Sequence, residues 1–373
     1  MPETDARVLA IDVGAGTTDV LLTQPGEPLE NAVKLILPSR TRVVGAQIAA
    51  ATTSGETVVF TGETMGGGAS TEAMKHHLAA GLRFVAGETA ALSFADGLER
   101  VRARGVEVVS YGEAAEMASA GESTNGVAAA SAHAAAAAER ITVVRSGDLD
   151  PAGLRAALRH LGVAPTFDAV AVAVQDHGFC PHSSNRVFRF SLWEKAVRER
   201  RPIGDLFYAA TDVPIELTRL RAAAGLAAEL AAGKPVLVAD TGPSALYGAL
   251  PDGPGDAVLI NVGNGHTIVA VALQGCLAGV FEHHTGLLDG PGLFDRLRRF
   301  LTGELGNDEV RADGGHGAAL AAPPPADLPL IVTGPRRDML SGSSLPLQFA
   351  APHGDMMLTG CFGLLRALSN RGR

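Results

Sequence analysis

Two apolar runs, Val8–Ile11 and Val20–Leu22, flank a short polar segment that carries Gly14 and Gly16. That pattern predicts a β-hairpin over Arg7–Leu22. The same pattern returns over Asp256–Leu273, where two apolar runs flank Gly263 and Gly265. Between and after these hairpins the chain alternates short apolar runs with longer amphipathic stretches. Strands are expected at Arg42–Ile48, Glu56–Thr61, Asp168–Val174, Lys234–Ala239 and Leu328–Thr333. Helices are expected at Thr71–Leu82, Leu149–Leu161, Pro202–Gly233, Pro243–Leu250, Gly286–Leu301 and Met356–Leu368. The alanine-rich stretch Ala114–Arg140, broken by Gly121 and Asn125-Gly126, reads as two helices or a helix with a linker, and Glu304–Asp327 as a surface loop. The class is α/β.

The first hairpin turn reads D-x-G-x-G-T-T-D from Asp12 to Asp19. Gly14 and Gly16 let the backbone approach a bulky anion, and successive N–H groups in such a turn form an anion-binding nest. Thr17 and Thr18 have hydroxyls to donate to phosphate oxygens, and Asp12 suits a water on a hard cation such as Mg²⁺. In the second hairpin Asn261 takes the place of Asp12, Gly263 of Gly14, Gly265 of Gly16 and Thr267 of Thr18, with Asn264 between the glycines. Two phosphate-type hairpins predict two related half-domains facing one nucleotide.

Other polar clusters are less specific. The glycines Gly66–Gly68 lack the spacing and lysine of a P-loop, so they form either a ligand loop or a connection. His76 and His77 lie about 100° apart on a helix and suit a solvated face better than a shared metal. Gln175, Asp176 and His177 follow a buried strand, where open sheets place ligands. There Gln175 and His177 are candidate substrate contacts, and His177, Cys180 and His182 a weaker candidate metal set. His283 and His284, just before a helix, are further candidate substrate contacts. The basic run Ser183–Arg201 reads as a solvated helix face.

Composition narrows the choice. The chain has 373 residues, 46% hydrophobic and 19% charged, which fits about two globular domains. A net charge of −9 argues against nucleic acid or an anionic membrane as partner. There is no apolar run near 18 residues and no leader-type N-terminus, and Cys180, Cys276 and Cys361 are dispersed, so a cytoplasmic location is expected.

Five segments in order resemble the superfamily of actin, heat-shock chaperones and sugar kinases. Asp12–Asp19 and Asn261–Thr267 resemble its two phosphate motifs. Pro243–Gly248 and Leu358–Leu364 resemble its two connecting helices, and Val332-Thr333-Gly334-Pro335 its adenosine motif. Within it the chain looks most like a bacterial and archaeal family labelled putative pyruvate formate-lyase activating enzyme. A radical activating enzyme needs a CxxxCxxC run, which this sequence lacks, so that chemistry is not expected.

The resemblance implies an actin-like ATPase fold: two ribonuclease-H-like domains, at 1–245 with insertions and 246–373, facing a central nucleotide cleft. It implies ATP and Mg²⁺ as cofactors, with Asp12 as the metal-positioning residue. The phosphates would lie on Gly14, Gly16, Thr17, Thr18, Gly263, Asn264, Gly265 and Thr267, and the adenosine on Gly334. Asp240 stands where sugar kinases keep a catalytic aspartate, although an aspartate there also suits a helix N-cap. Asp176 is the second candidate base. The leading expectation is phosphoryl transfer to a small molecule. The alternatives are an ATP-driven activator of a partner enzyme, and a nucleotide-binding protein with little turnover, which Asn261 favours.

Overall fold

The computed structural model describes residues 5–128, 140–180, 182, 184–252 and 255–371. It divides into two compact units. One joins the residues up to Leu37 with those from Pro151 onwards, and the other is Pro38–Asp150.

The first unit holds two six-stranded sheets. In the first, the order is Val33–Pro38, Thr17–Leu22, Val8–Val13, Ala169–Val174, Val236–Ala239, Phe207–Ala209. The hairpin strands pair antiparallel, and Val8–Val13, Ala169–Val174 and Val236–Ala239 run parallel. In the second sheet, the order is Gly317–Leu320, Cys276–His284, His266–Leu273, Ala257–Val262, Leu330–Thr333, Leu347–Phe349. Again a hairpin strand, Ala257–Val262, continues into two parallel neighbours. Five strands of each sheet follow one order, so the internal repetition read from the two hairpins extends to five of the six strands. The sixth strands differ: Phe207–Ala209 is added at one edge of the first sheet and Gly317–Leu320 at the opposite edge of the second.

Two helices cross between these sheets. Helix Thr241–Ala249 follows the first sheet but buries Leu246 and Ala249 with Leu259 and Ile268 of the second. Helix Thr359–Arg371 follows the second sheet but buries Cys361, Phe362 and Leu365 with Val8, Ala10 and Ala171 of the first. Where they cross, a Cβ on Gly248 would lie 1.9 Å from Thr359 O, and one on Gly363 would lie 1.9 Å from Ser244 O. Only glycine allows so close a crossing.

The second unit is a four-stranded parallel sheet, ordered Glu107–Val109, Phe84–Gly87, Thr57–Gly62, Ile141–Ser146. Its core gathers Phe60, Phe84 and Phe94 with Met74 and Val101.

Several elements differ from the sequence expectation. Arg42–Ile48 lies within a helix, Arg40–Ser54, because the buried positions Thr41, Val44, Gly45, Ile48 and Ala51 recur at three and four residues. Only Thr218–Ala231 of the expected helix Pro202–Gly233 is α-helical; the preceding stretch contains the edge strand Phe207–Ala209. Glu304–Asp327 contains helix Asn307–Ala312 and strand Gly317–Leu320. His77 is buried, its Nδ1 paired with the Thr52 hydroxyl and its Nε2 with Arg83 O. Part of the alanine-rich stretch, 129–139, lies outside the described residues. No helix among the described residues is long and apolar enough to cross a membrane.

Candidate functional site

The two glycine turns close with the same bond. Gly14 N donates to Thr17 O at 2.9 Å, and Gly263 N donates to His266 O at 2.9 Å. The turns also face each other: a Cβ on Gly16 would lie 2.5 Å from Asn264 Nδ2, and one on Gly265 would lie 3.5 Å from the Ala15 Cβ.

Around the first turn, carboxylates converge. Asp12 and Asp19 are direct cross-strand partners, an arrangement that like charges disfavour. Asp12 Oδ1, Asp19 Oδ1 and Thr18 Oγ1 are buried with no hydrogen-bond partner among the described residues. Burial pushes the Asp12 carboxyl well above its usual range, helped by Asp19 and Asp240. Burial lifts Asp19 to about 6, with Asp355 adding to the rise and the Thr17 hydroxyl opposing it. The last helix passes directly over this group, since a Cβ on Gly360 would fall 1.9 Å from Asp12 Oδ2. A buried cluster of acids with unmet oxygens fits a divalent cation, and two apposed glycine turns fit phosphate.

On the second side, Thr267 Oγ1 lies 3.0 Å from Thr285 Oγ1, and Thr285 N donates to Gly265 O at 2.9 Å. Gly334 is buried with φ +99°, and the space a side chain would need is taken by Val262 O and Asn261 Oδ1. Adding a Cβ there would bring it within 2.4 Å of the carbonyl.

Asp240 has full occupancy of its own. Oδ1 accepts from Gly242 N at 2.9 Å and Arg189 Nη2 at 3.0 Å; Oδ2 accepts from Asp176 N at 2.8 Å and Arg189 Nη1 at 2.6 Å. It caps the helix Thr241–Ala249. Burial opposes its charge, but Arg189 outweighs burial and holds the carboxyl below its ordinary range. Asp176 is buried as well, with Oδ1 accepting from Gly178 N at 2.7 Å and Oδ2 from Leu220 N at 2.8 Å. These bonds fix the loop that carries Gln175 and His177. Both aspartates therefore hold the backbone with all four carboxylate oxygens.

Arg189 was legible only as one charge in a basic run. In the fold it is buried on helix Asn185–Arg198, which packs Phe190 and Trp193 into the second sheet's core. Its Nε reaches Glu282 Oε1 at 2.9 Å, and Trp193 Nε1 donates to Glu282 Oε2 at 3.1 Å. Burial works against the guanidinium charge, yet Asp240 and Glu282 together raise its pKa.

Beside this network four imidazoles cluster, His177 and His316 stacked and the others tilted or edge-on. His177 enters from the loop after Ala169–Val174, His266 opens its strand, His284 ends the next, and His316 precedes Gly317–Leu320. Ring centroids are 5.3 Å apart for His177–His316, 4.9 Å for His266–His316 and 4.5 Å for His266–His284. Burial lowers all four pKa values: His177 and His266 well below the ordinary value, His316 to about 2, and His284 less. The nearby Arg189 adds to the fall at His177, His266 and His316.

Of the expected metal set His177, Cys180 and His182, only His177 joins this group. Cys180 N meets Asn185 Oδ1 at 3.4 Å, and His182 is exposed. His283 is buried apart from the group, with Nε2 at 2.8 Å from Asp313 Oδ1. His316 lay in the segment expected to be a loop, and its place followed from no local signal. Cys361 is buried in the last helix, its thiol donating to Asp19 O at 3.3 Å and Ala10 O at 3.6 Å.

A family model described as "Putative pyruvate format-lyase activating enzyme (DUF1786)" matches residues 65–339. Among solved structures, the ethanolamine utilization protein EutJ from Carboxydothermus hydrogenoformans aligns with 99% of this chain and 90% of its own. The TM-score is 0.35 and the identity 11%. No curated protein matches the sequence.

Proposed function

The chain belongs to the family described as "Putative pyruvate format-lyase activating enzyme (DUF1786)", and we propose that it is a cytoplasmic protein that binds ATP with Mg²⁺ between its two glycine turns. The observation that carries this reading is the trio of buried, unpartnered oxygens on Asp12, Thr18 and Asp19, on the hairpin whose glycine turn meets Asn264 and Gly265. A cation beside Asp12 and Asp19 would stabilise the ionised carboxylates that burial disfavours, and would supply charge compensation for the phosphates. The repeated sheets and their crossed helices support two ribonuclease-H-like halves, divided near residue 245, around a nucleotide cleft. The resemblance of the five motifs to actin, chaperones and sugar kinases supports ATP as the nucleotide.

Within that reading the chain's residues divide the work. Gly14, Gly16, Thr17 and Thr18 on one side and Gly263, Asn264, Gly265 and Thr267 on the other hold the phosphates. Gly334 lets the adenosine approach the backbone. The Asn264 amide sits on Gly16, and because Asn264 is exposed it can swing aside as a ligand enters.

Phosphoryl transfer to a small molecule needs a base for the acceptor. Of the aspartates nearest that role, Asp240 already accepts two hydrogen bonds on each carboxylate oxygen and Asp176 one on each. That pattern favours a switch in which nucleotide binding sets the position of the two halves for a partner enzyme. A small-molecule acceptor near Gln175 and His177 is the second reading, favoured by their place after a parallel strand. The test is a thermal melt with ATP, ADP and Mg²⁺: the pair raises the midpoint in the wild type and leaves Asp12→Asn unmoved. Partner-dependent turnover then distinguishes the switch from a kinase, which turns over with a small acceptor alone.

A further inference from the structure

We infer that His177, His266 and His316 form a binding site for a divalent transition-metal ion, adjacent to the proposed phosphate contacts but distinct from the Asp12 and Asp19 carboxylates. One ring nitrogen from each of the three lies within 4.8 Å of the others. Zinc is held by imidazole nitrogens at about 2.0–2.1 Å, which sets tetrahedral ligand atoms about 3.4 Å apart. Rotation of the rings by an ångström or so brings the set to that spacing.

Three features favour a metal over ordinary histidine packing. First, His266 Nε2 and both nitrogens of His316 are buried with no hydrogen-bond partner among the described residues. Each buried unmet polar atom costs about 1–3 kcal/mol, and three in one place need a common explanation. A single bound ion would take His266 Nε2 and one nitrogen of His316, leaving the other His316 nitrogen for a neighbouring acceptor. Second, the neighbouring His283 shows what a structural histidine looks like here: its Nε2 meets Asp313 and its Nδ1 meets a carbonyl. Third, His316 Nδ1 faces Glu282 Oε2 at 3.9 Å, and Glu282 is itself fixed by Arg189 and Trp193. That distance exceeds a hydrogen bond, but a small turn of the ring would set Nδ1–H on Glu282, the carboxylate contact usual behind a ligating imidazole, with Nε2 toward the ion.

The ligand set also suggests what the ion does. Neutral imidazoles select zinc, iron, cobalt, nickel or copper rather than Mg²⁺ or Ca²⁺. Three protein ligands leave a position for water or a substrate atom, as in catalytic rather than structural zinc sites. His177 comes from the first sheet and His266 and His316 from the second, so the ion would tie the two repeated halves together beside the Gly263–Gly265 turn. His284 packs against His266 and His316 without joining the three-nitrogen set.

The test uses the full chain stripped with chelator and titrated with Zn²⁺ or Co²⁺ alone. One ion per chain is expected, with the intense ligand-field absorption of tetrahedral Co²⁺. His266→Ala and His316→Ala should each weaken binding by at least about 100-fold, since even second-layer changes cost 10–100-fold. Asp12→Asn should bind the ion as the wild type does, which separates this site from the nucleotide site. X-ray absorption on the zinc-loaded wild type, which needs no variant, should count three imidazoles. Absence of stoichiometric binding, binding unchanged in both histidine variants, or a first shell without imidazole would each overturn the proposal.

Discussion

Arg189 lies flat against Asp240, Nη1 to Oδ2 at 2.6 Å and Nη2 to Oδ1 at 3.0 Å, while its Nε reaches back to Glu282. One guanidinium thus joins the aspartate that ends a strand of the first sheet to a glutamate within the second. The geometry needs a planar fork; a lysine carries one point charge and cannot span both carboxylates.

Removing that fork strands two buried acids. Arg189→Ala is therefore expected to cost about 3–5 kcal/mol of stability, the usual penalty for breaking a buried ion pair. Arg189→Lys should recover only part of it. Urea unfolding of the two variants checks the order; equal and small losses would contradict it.

The helix crossing makes a sharper steric prediction. Gly363→Ala places a methyl 1.9 Å from Ser244 O, against backbone that has nowhere to move. The expected loss is about 3 kcal/mol or more, at or beyond the upper end of ordinary overpacking. By contrast, Gly16→Ala meets the exposed Asn264 side chain, which can swing away. Its stability should fall by less than about 1 kcal/mol, within the common range for point changes, while nucleotide affinity falls. Paired melting and binding curves for the two variants test this contrast.

The acids at the first turn predict a pH dependence. Asp19 titrates near 6 in the fold, against about 3.9 in an unfolded chain. Between those values the folded protein keeps a proton that the unfolded chain has released, so stability falls as pH rises. The contribution is fully present below about pH 4 and is lost by pH values above 6. Asp12, raised in the same direction, adds to the slope. Melting points in chelator across this window should decline, and Asp19→Asn should flatten the decline. A wild-type curve that rises with pH there, with no dependence on Asp19, would contradict the electrostatics described.

Much of this was written in local pattern. The hairpins at Asp12 and Asn261, the strand Ala169–Val174 and the helix after Asp240 follow from runs and turns within a dozen residues. The two crossing helices were expected from the resemblance of Pro243–Gly248 and Leu358–Leu364 to connecting helices. What local pattern missed depends on distant partners. Val44 and Ile48 read as a strand because the partners that make their helical spacing meaningful lie elsewhere in the unit. Arg189 read as one more surface charge because its acids are 51 and 93 residues away. His316 meets His177 and His266 only through the fold, and no spacing in the chain announces that meeting.

The most direct measurement is isothermal titration of ATP and ADP, with and without Mg²⁺, into the wild type and Asp12→Asn. One nucleotide per chain is expected, tightened by Mg²⁺, with the Mg²⁺ effect lost in the variant. Binding that ignores both Mg²⁺ and Asp12, or no binding by the wild type, would contradict it.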